Sequence, residues 1–158
     1  MNEERLVTYL KDHLAGAVLG MELIEACREH NRDTPLATFL SGLLAEVGED
    51  RKVLEDLISR FDAKPSAGKM ASAWLAEKGM RFKTEGLGYD ALSRMEELEV
   101  LLLGIRGKLA LWDLLGEIRS ADDRLRQVGF PELRERAKRQ MEEVEARRVE
   151  AARQAFLS

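Results

Sequence analysis

The stretch Leu98–Leu115, LEVLLLGIRGKLALWDLL, poses the question that decides the fold: what Arg106 is doing in the middle of so apolar a run. A guanidinium that loses its water needs a carboxylate partner, because an unpaired buried charge costs more than the packing of one side chain returns. The chain should therefore hold an inward-facing acid, and finding that acid means finding the helices around it.

Apolar spacing and cap residues mark those helices. Val7, Leu10, Leu14, Ala17, Met21 and Ile24 recur at three and four, which predicts helix A over about 5–30. At NRDTP, Thr34 can cap a new helix, and Pro35 takes the first helical position, where its missing N–H does no harm. Helix B, over 34–61, carries Leu36, Leu40, Leu43, Val47, Asp50, Leu54, Leu57 and Phe61 on one face. Asp50 stands where a leucine is expected, and it is the acid sought. KPSAG then breaks the helix, a short amphipathic helix led by Met70, Trp74 and Leu75 is expected over 67–82, and TEGLGYD reads as a turn-rich linker. Asp90 caps helix C over 91–119, which turns Met95, Leu98, Leu102, Ile105, Leu109 and Trp112 inward. Pro131 opens helix D over 131–157, with Leu133, Ala137, Val144, Arg148, Ala151 and Ala155 on one face.

The expected fold is all-α, a single domain over 1–158 in which hairpins A/B and C/D are joined by a long B-to-C crossover containing the short helix. A crossover of that length lets B and C run parallel, the connectivity of a ferritin-like four-helix bundle. Asp50 lies 16 residues past Thr34, and Arg106 lies 16 past Asp90. In parallel helices rising about 1.5 Å per residue the two reach the same level. Counting back through the A/B turn sets Asp50 opposite the segment from His13 to Ala17, and counting through the C/D loop sets Arg106 near Val144 and Arg148 near Glu99 and Leu102. The expectation is a polar cluster of Asp50, Arg106, Arg148 and Glu99 at mid-height, with His13 at its edge, two positive charges against two negative.

Composition narrows the function. With 25 basic and 29 acidic residues mixed along the chain, and a formal charge of −4, no basic face draws in a phosphate backbone, so nucleic acid is not an expected partner. The uncharged run LAGAVLGM, Leu14–Met21, is far short of the roughly 20 apolar residues that span a bilayer, and MNEERLVTYLKDHL lacks the pattern of a secretory signal. No membrane partner and a cytoplasmic location are expected. Cys27 is the one cysteine, so a disulfide within the chain is excluded. With His30 it forms C-x-x-H, but no second Cys/His cluster completes a zinc site, and Cys27 reads as a small apolar filler. No nucleophile elbow, phosphate loop or Ser/His/Asp order is visible, and His13 alone reads as a structural histidine.

The segments YLKDHLAGAVLGMELIE (Tyr9–Glu25), TPLATFLSGLLAEVGEDRKVLEDL (Thr34–Leu57) and LSRMEELEVLLLGIRGKLALW (Leu92–Trp112) resemble uncharacterised bacterial members of the ferritin-like superfamily. The resemblance covers most of the chain and lies in packing patterns, not in signatures of chemistry. It implies a di-iron or di-manganese site made from one carboxylate on each of two helices and a Glu-x-x-His pair on each of the other two. Here the motif fails: Leu10 and Cys27 stand three residues before His13 and His30, and helices B and D hold no histidine. The carboxylates left are Glu22 and Glu25 on A, Glu46, Glu49 and Asp50 on B, Glu96 and Glu99 on C, Glu142 and Glu145 on D. Arg106, at the level of a metal, would repel a divalent cation.

Two functions are weighed. The first is a non-catalytic bundle acting by association, as a homodimer or with a protein partner, having no cofactor and no catalytic residue. Gly16, Gly20, Gly104 and Gly107 would let helices approach closely, and Trp74 would cover the core or an interface. The alternative is an oxidase- or peroxidase-like enzyme holding iron or manganese on His13, Glu22, Glu25, Asp50 and Glu99. A groove for a fatty acyl or other small apolar ligand is a third idea, without a motif of its own.

Overall fold

Three of the long helices of the computed structural model start at side-chain caps. Asn2 Oδ1 accepts from the Arg5 amide at 3.0 Å, Thr34 Oγ1 from that of Ala37 at 3.4 Å, and Asp90 Oδ1 from that of Ser93 at 2.9 Å. Each satisfies one of the amides a helix leaves unpaired in its first turn. Pro35 follows Thr34 directly. The structure describes residues 1–66 and 88–157. Its elements are α1 (Glu3–His30), α2 (Pro35–Ser59), α3 (Ala91–Ile118), a 3₁₀ turn (Arg119–Ala121), the short α4 (Asp123–Arg126) and α5 (Phe130–Leu157). Among the described residues there is no strand, and the chain is all-helical. The short helix expected over 67–82, with Trp74, lies outside the described residues.

Side-chain pairs give the directions. Only Asn31 to Thr34 separate α1 from α2, and Asp33 takes φ 64° there, a left-handed turn residue of the kind Asp tolerates. Along α3 and α5 the pairs Glu99 with Arg148, Lys108 with Gln140 and Asp113 with Arg134 descend in opposite order, so those two helices are antiparallel. His30 meets Glu97 at one end of α1 and Glu3 meets Arg124 at the other, so α1 runs against α3. Asp50 touches Lys108, and Phe61 lies beneath the Arg124 guanidinium at 3.9 Å; α2 therefore runs the same way as α3.

Packing is most extensive between α3 and α5 and next between α1 and α2, while α2 and α5 come close at few points. Long polar side chains fill that last seam: Glu46 with Arg139, Glu49 with Arg136, and the Arg147 guanidinium 3.5 Å over the Phe39 ring. All four long helices feed one apolar core, whose fully enclosed members include Leu10, Leu40, Leu57, Leu98, Trp112, Phe130 and Val144.

The inward stripe of α2 is the expected one from Leu40 to Phe61, Asp50 included, with Ile58 added and Leu36 only half-buried. That of α3 is rotated. Leu101, Leu111 and Leu115 are buried with Leu98, Ile105 and Trp112, whereas Leu102 and Leu109 are only half-buried. The rotation decides where the cations of α3 point.

Candidate functional site

Asp50 is 2% exposed, on the α2 stripe between Val47 and Leu54. Its partner is Lys108, whose Nζ donates to Asp50 Oδ2 at 2.6 Å and to Gln140 Oε1 of α5 at 2.5 Å. Gln140 Nε2 passes a hydrogen bond of 2.8 Å on to Glu46, which also holds Arg139 at 2.9 Å. Arg136 Nη1 lies 2.8 Å from Glu49 and 3.3 Å from Asp50 Oδ1. The latter is an ion pair without a hydrogen bond, since Asp50 Oδ1 has no aligned donor. Lys108 and Arg136 thus neutralise buried Asp50, as a charge leaving water requires, while Arg139 and Glu49 extend the network into solvent.

Burial pushes the Lys108 ammonium below its ordinary pKa, with Asp50 opposing the shift. Burial also works against the charge of Glu46, but Gln140 and Arg139 outweigh it and hold that carboxyl below the usual range.

Arg106 is not the cation of this group. It is exposed and, among the described residues, pairs with no acid. The reason is angular. Successive residues turn a helix by about 100°, so Arg106 points away from its buried neighbour Ile105, whereas Lys108, three residues after Ile105 and four before Trp112, returns to the inward face. The two helix starts also differ in height: Lys108 stands 18 residues past Asp90, not 16, an offset of about 3 Å.

The other expected members are placed as follows. Arg148 pairs with Glu99 at 3.3 Å and with Glu145 at 2.7 Å, but on the rim, eight residues along α5 from Gln140 and so about 12 Å from the Asp50 group. The cluster expected as one is therefore two. Glu22, Glu25, Glu96, Glu99 and Glu142 are exposed, and among the described residues no three His, Cys, Asp or Glu side chains gather where they could hold a metal ion. The set His13, Glu22, Glu25, Asp50 and Glu99 is not brought together.

His13 is half-buried, its ring edge-on to Tyr9 at 4.6 Å, and with Asp50 and Lys108 it lines a half-open cavity of about 380 Å³ between α1 and α3. Apolar side chains make up most of the wall, including Leu23, Ile24, Leu101, Leu111 and Trp112. Gly16, Gly20 and Gly104 border the cavity, and a Cβ added at any of them, or at Gly107, would meet nothing within 4 Å. These glycines leave room and do not bring helices of this chain into close approach.

Burial pushes His13 below its ordinary value of 6.5, with Asp12 opposing. The fold therefore prefers the neutral ring. Its contribution to stability is complete above 6.5 and is lost as pH falls through the depressed folded value. Between pH 7.5 and 5 the wild-type melting temperature should fall further than that of His13→Gln; equal slopes would refute the assignment.

A second polar group, centred on Glu97, was not among the expected sites. Glu97, 2% exposed near the start of α3, places Oε1 at 2.9 Å from His30 Nδ1 and accepts from the Tyr89 hydroxyl at 2.8 Å on Oε2. An ionised carboxylate only accepts, so His30 Nδ1 donates. Buried Asn31 donates to the Tyr89 oxygen at 2.7 Å and accepts from Arg94 Nε at 2.6 Å. The His30 and Tyr89 rings stack with centroids 4.4 Å apart. Burial first, then the charge of Glu97, raise the Cys27 thiol, which stays protonated and is a poor nucleophile; burial likewise raises Tyr89. With its acceptors occupied, this group fastens the end of α1 to the start of α3. Glu97 and Lys108 share the inward face with Leu101, Ile105 and Trp112 at intervals of four, four, three and four, but the helix is apolar on nearly every side and this stripe does not stand out from the others.

Comparison of the chain with family models, curated proteins and solved structures gives no match.

Proposed function

We propose that this chain is a non-catalytic, ferritin-like four-helix bundle of the cytoplasm that acts by protein association, with an internal ion pair at the level where metal-binding relatives carry their ions. The observation that carries the reading is Lys108 Nζ at 2.6 Å from Asp50 Oδ2. A fixed ammonium beside a carboxylate buried at mid-height supplies the positive charge that a metal would otherwise supply, and it repels a divalent cation. Parallel α2 and α3 support the ferritin-like connectivity with a crossover between them. Among the described residues no helix is long and apolar enough to cross a membrane.

The test is elemental analysis of protein purified from cells grown with added iron and manganese. Less than about a tenth of an ion per chain is expected; one or two ions per chain would overturn the reading in favour of a carboxylate-bridged di-iron or di-manganese protein with unusual ligands.

The cavity favours a second reading, capture of a small apolar ligand such as a fatty acyl chain. Its volume of about 380 Å³ falls within the range of roughly 300–1,000 Å³ of small-molecule sites. Native mass spectrometry of gently purified protein would then show a bound lipid, and Gly20→Leu, which fills the cavity from α1, should abolish that adduct. Protein that flies bare, or an adduct unaffected by Gly20→Leu, removes this reading.

A further inference from the structure

One face of α3 carries exposed leucines that nothing described covers, interrupted by the exposed Glu96 and bordering the cavity at Leu103. Leu92, Leu103 and Leu114 are 41%, 65% and 45% exposed. Single exposed leucines are ordinary, but these three recur at intervals of 11 residues, just over three full turns, and so form one nearly straight stripe about 33 Å long. Leu103 is its midpoint, with Leu92 and Leu114 equidistant on either side. One charge pair fits the same symmetry: Arg106 lies three residues after Leu103, and Glu99, which already meets Arg148 within the chain, lies four before it on the same flank of the stripe.

We infer that the outer face of α3 is a homodimer interface, in which α3 packs antiparallel against α3 of a second copy about a two-fold axis at Leu103. This rests on the association reading above and names its surface. Across such an axis Leu103 meets itself, Leu92 meets Leu114 of the second copy, and Arg106 comes beside Glu99 of the second copy, twice over. Gly107, where an added Cβ meets nothing within 4 Å, leaves space for the approaching helix. An unrelated partner would need an apolar stripe, but it would not need the stripe to be complementary to itself, and this one is, in its three leucines and in the pairing of Arg106 with Glu99. Arg106, which pairs with no acid among the described residues, thereby acquires one.

Light scattering on the full chain should give the mass of two chains. Leu103→Glu, an exposed position, should give the mass of one with unchanged helicity, and Arg106→Glu should weaken the dimer about tenfold by placing like charges at both ends of the pairing. Under mild oxidation Leu103→Cys should form a disulfide dimer, and Leu92→Cys chains should cross-link to Leu114→Cys chains more readily than to themselves. A single-chain mass for the wild type, or a dimer that Leu103→Glu leaves intact, overturns the interface. The ion-pair reading is judged separately, by metal content.

Discussion

Lys108→Met is expected to destabilise the fold by about 3–5 kcal/mol, because it strands the Asp50 carboxylate at 2% exposure and takes a donor from Gln140. The lower end of that range fits best, since the Lys108 side chain keeps 15% of its exposure and Arg136 still stands 3.3 Å from Asp50. Asp50→Leu combined with Lys108→Met should recover most of the loss, as two apolar side chains replace a pair whose mutual attraction is largely spent on leaving water. Denaturant unfolding of the two single variants and the double variant measures the coupling directly. If the double variant is as unstable as the sum of the singles, Lys108 and Asp50 do not depend on each other, and the central claim about the interior is wrong. Arg106→Leu, by contrast, should change monomer stability by less than about 0.5 kcal/mol.

Glu97→Leu is the second large effect, a loss of about 3 kcal/mol. Hydrogen bonds to a charged acceptor contribute about 1.5–3 kcal/mol, and this substitution leaves the hydroxyl of Tyr89 and the Nδ1 of His30 facing an apolar side chain. Glu97→Gln should lose only about 1 kcal/mol, because the amide oxygen still accepts from Tyr89 and the amide nitrogen can donate to the other His30 tautomer. Cys27, 0% exposed beside this group, supplies a second readout. Its thiol should react slowly with a disulfide reagent in the wild type and at least tenfold faster in Glu97→Leu as the end of α1 loosens. Equal stability of the two variants would show that the carboxylate is a bystander.

Helix positions were legible because their signals are local: Thr34 with Pro35, Asp90, and stripes spaced three and four. Asp50 was legible for the same reason, as a single acid interrupting leucines. The cation opposite it was not. Between Leu98 and Leu115 apolar residues occur on nearly every side, so periodicity does not fix which side faces in; that is set by α1 and α5, which cover two flanks of α3 and leave Leu103 and Arg106 outside. Counting residues from the caps found the right level to within one turn and the wrong side chain. Arg136 and Gln140 were hidden because α5 is charged around much of its circumference, and only the seam with α2 selects which of its polar residues turn inward. Glu97 was hidden by its neighbours, two flanking acids that do lie in solvent.

Helix α1 is anchored against the second hairpin at its extremities, by Glu3 on Arg124 and by His30 and Asn31 on the Glu97 group, whereas its middle looks across open space through Gly16 and Gly20. Two glycines four apart resist bending poorly. The helix can therefore bow between fixed ends as a string does, changing the capacity of the hollow without undoing either knot. Amide exchange within α1 should be fastest from Gly16 to Gly20, and slowest there when the hollow is filled.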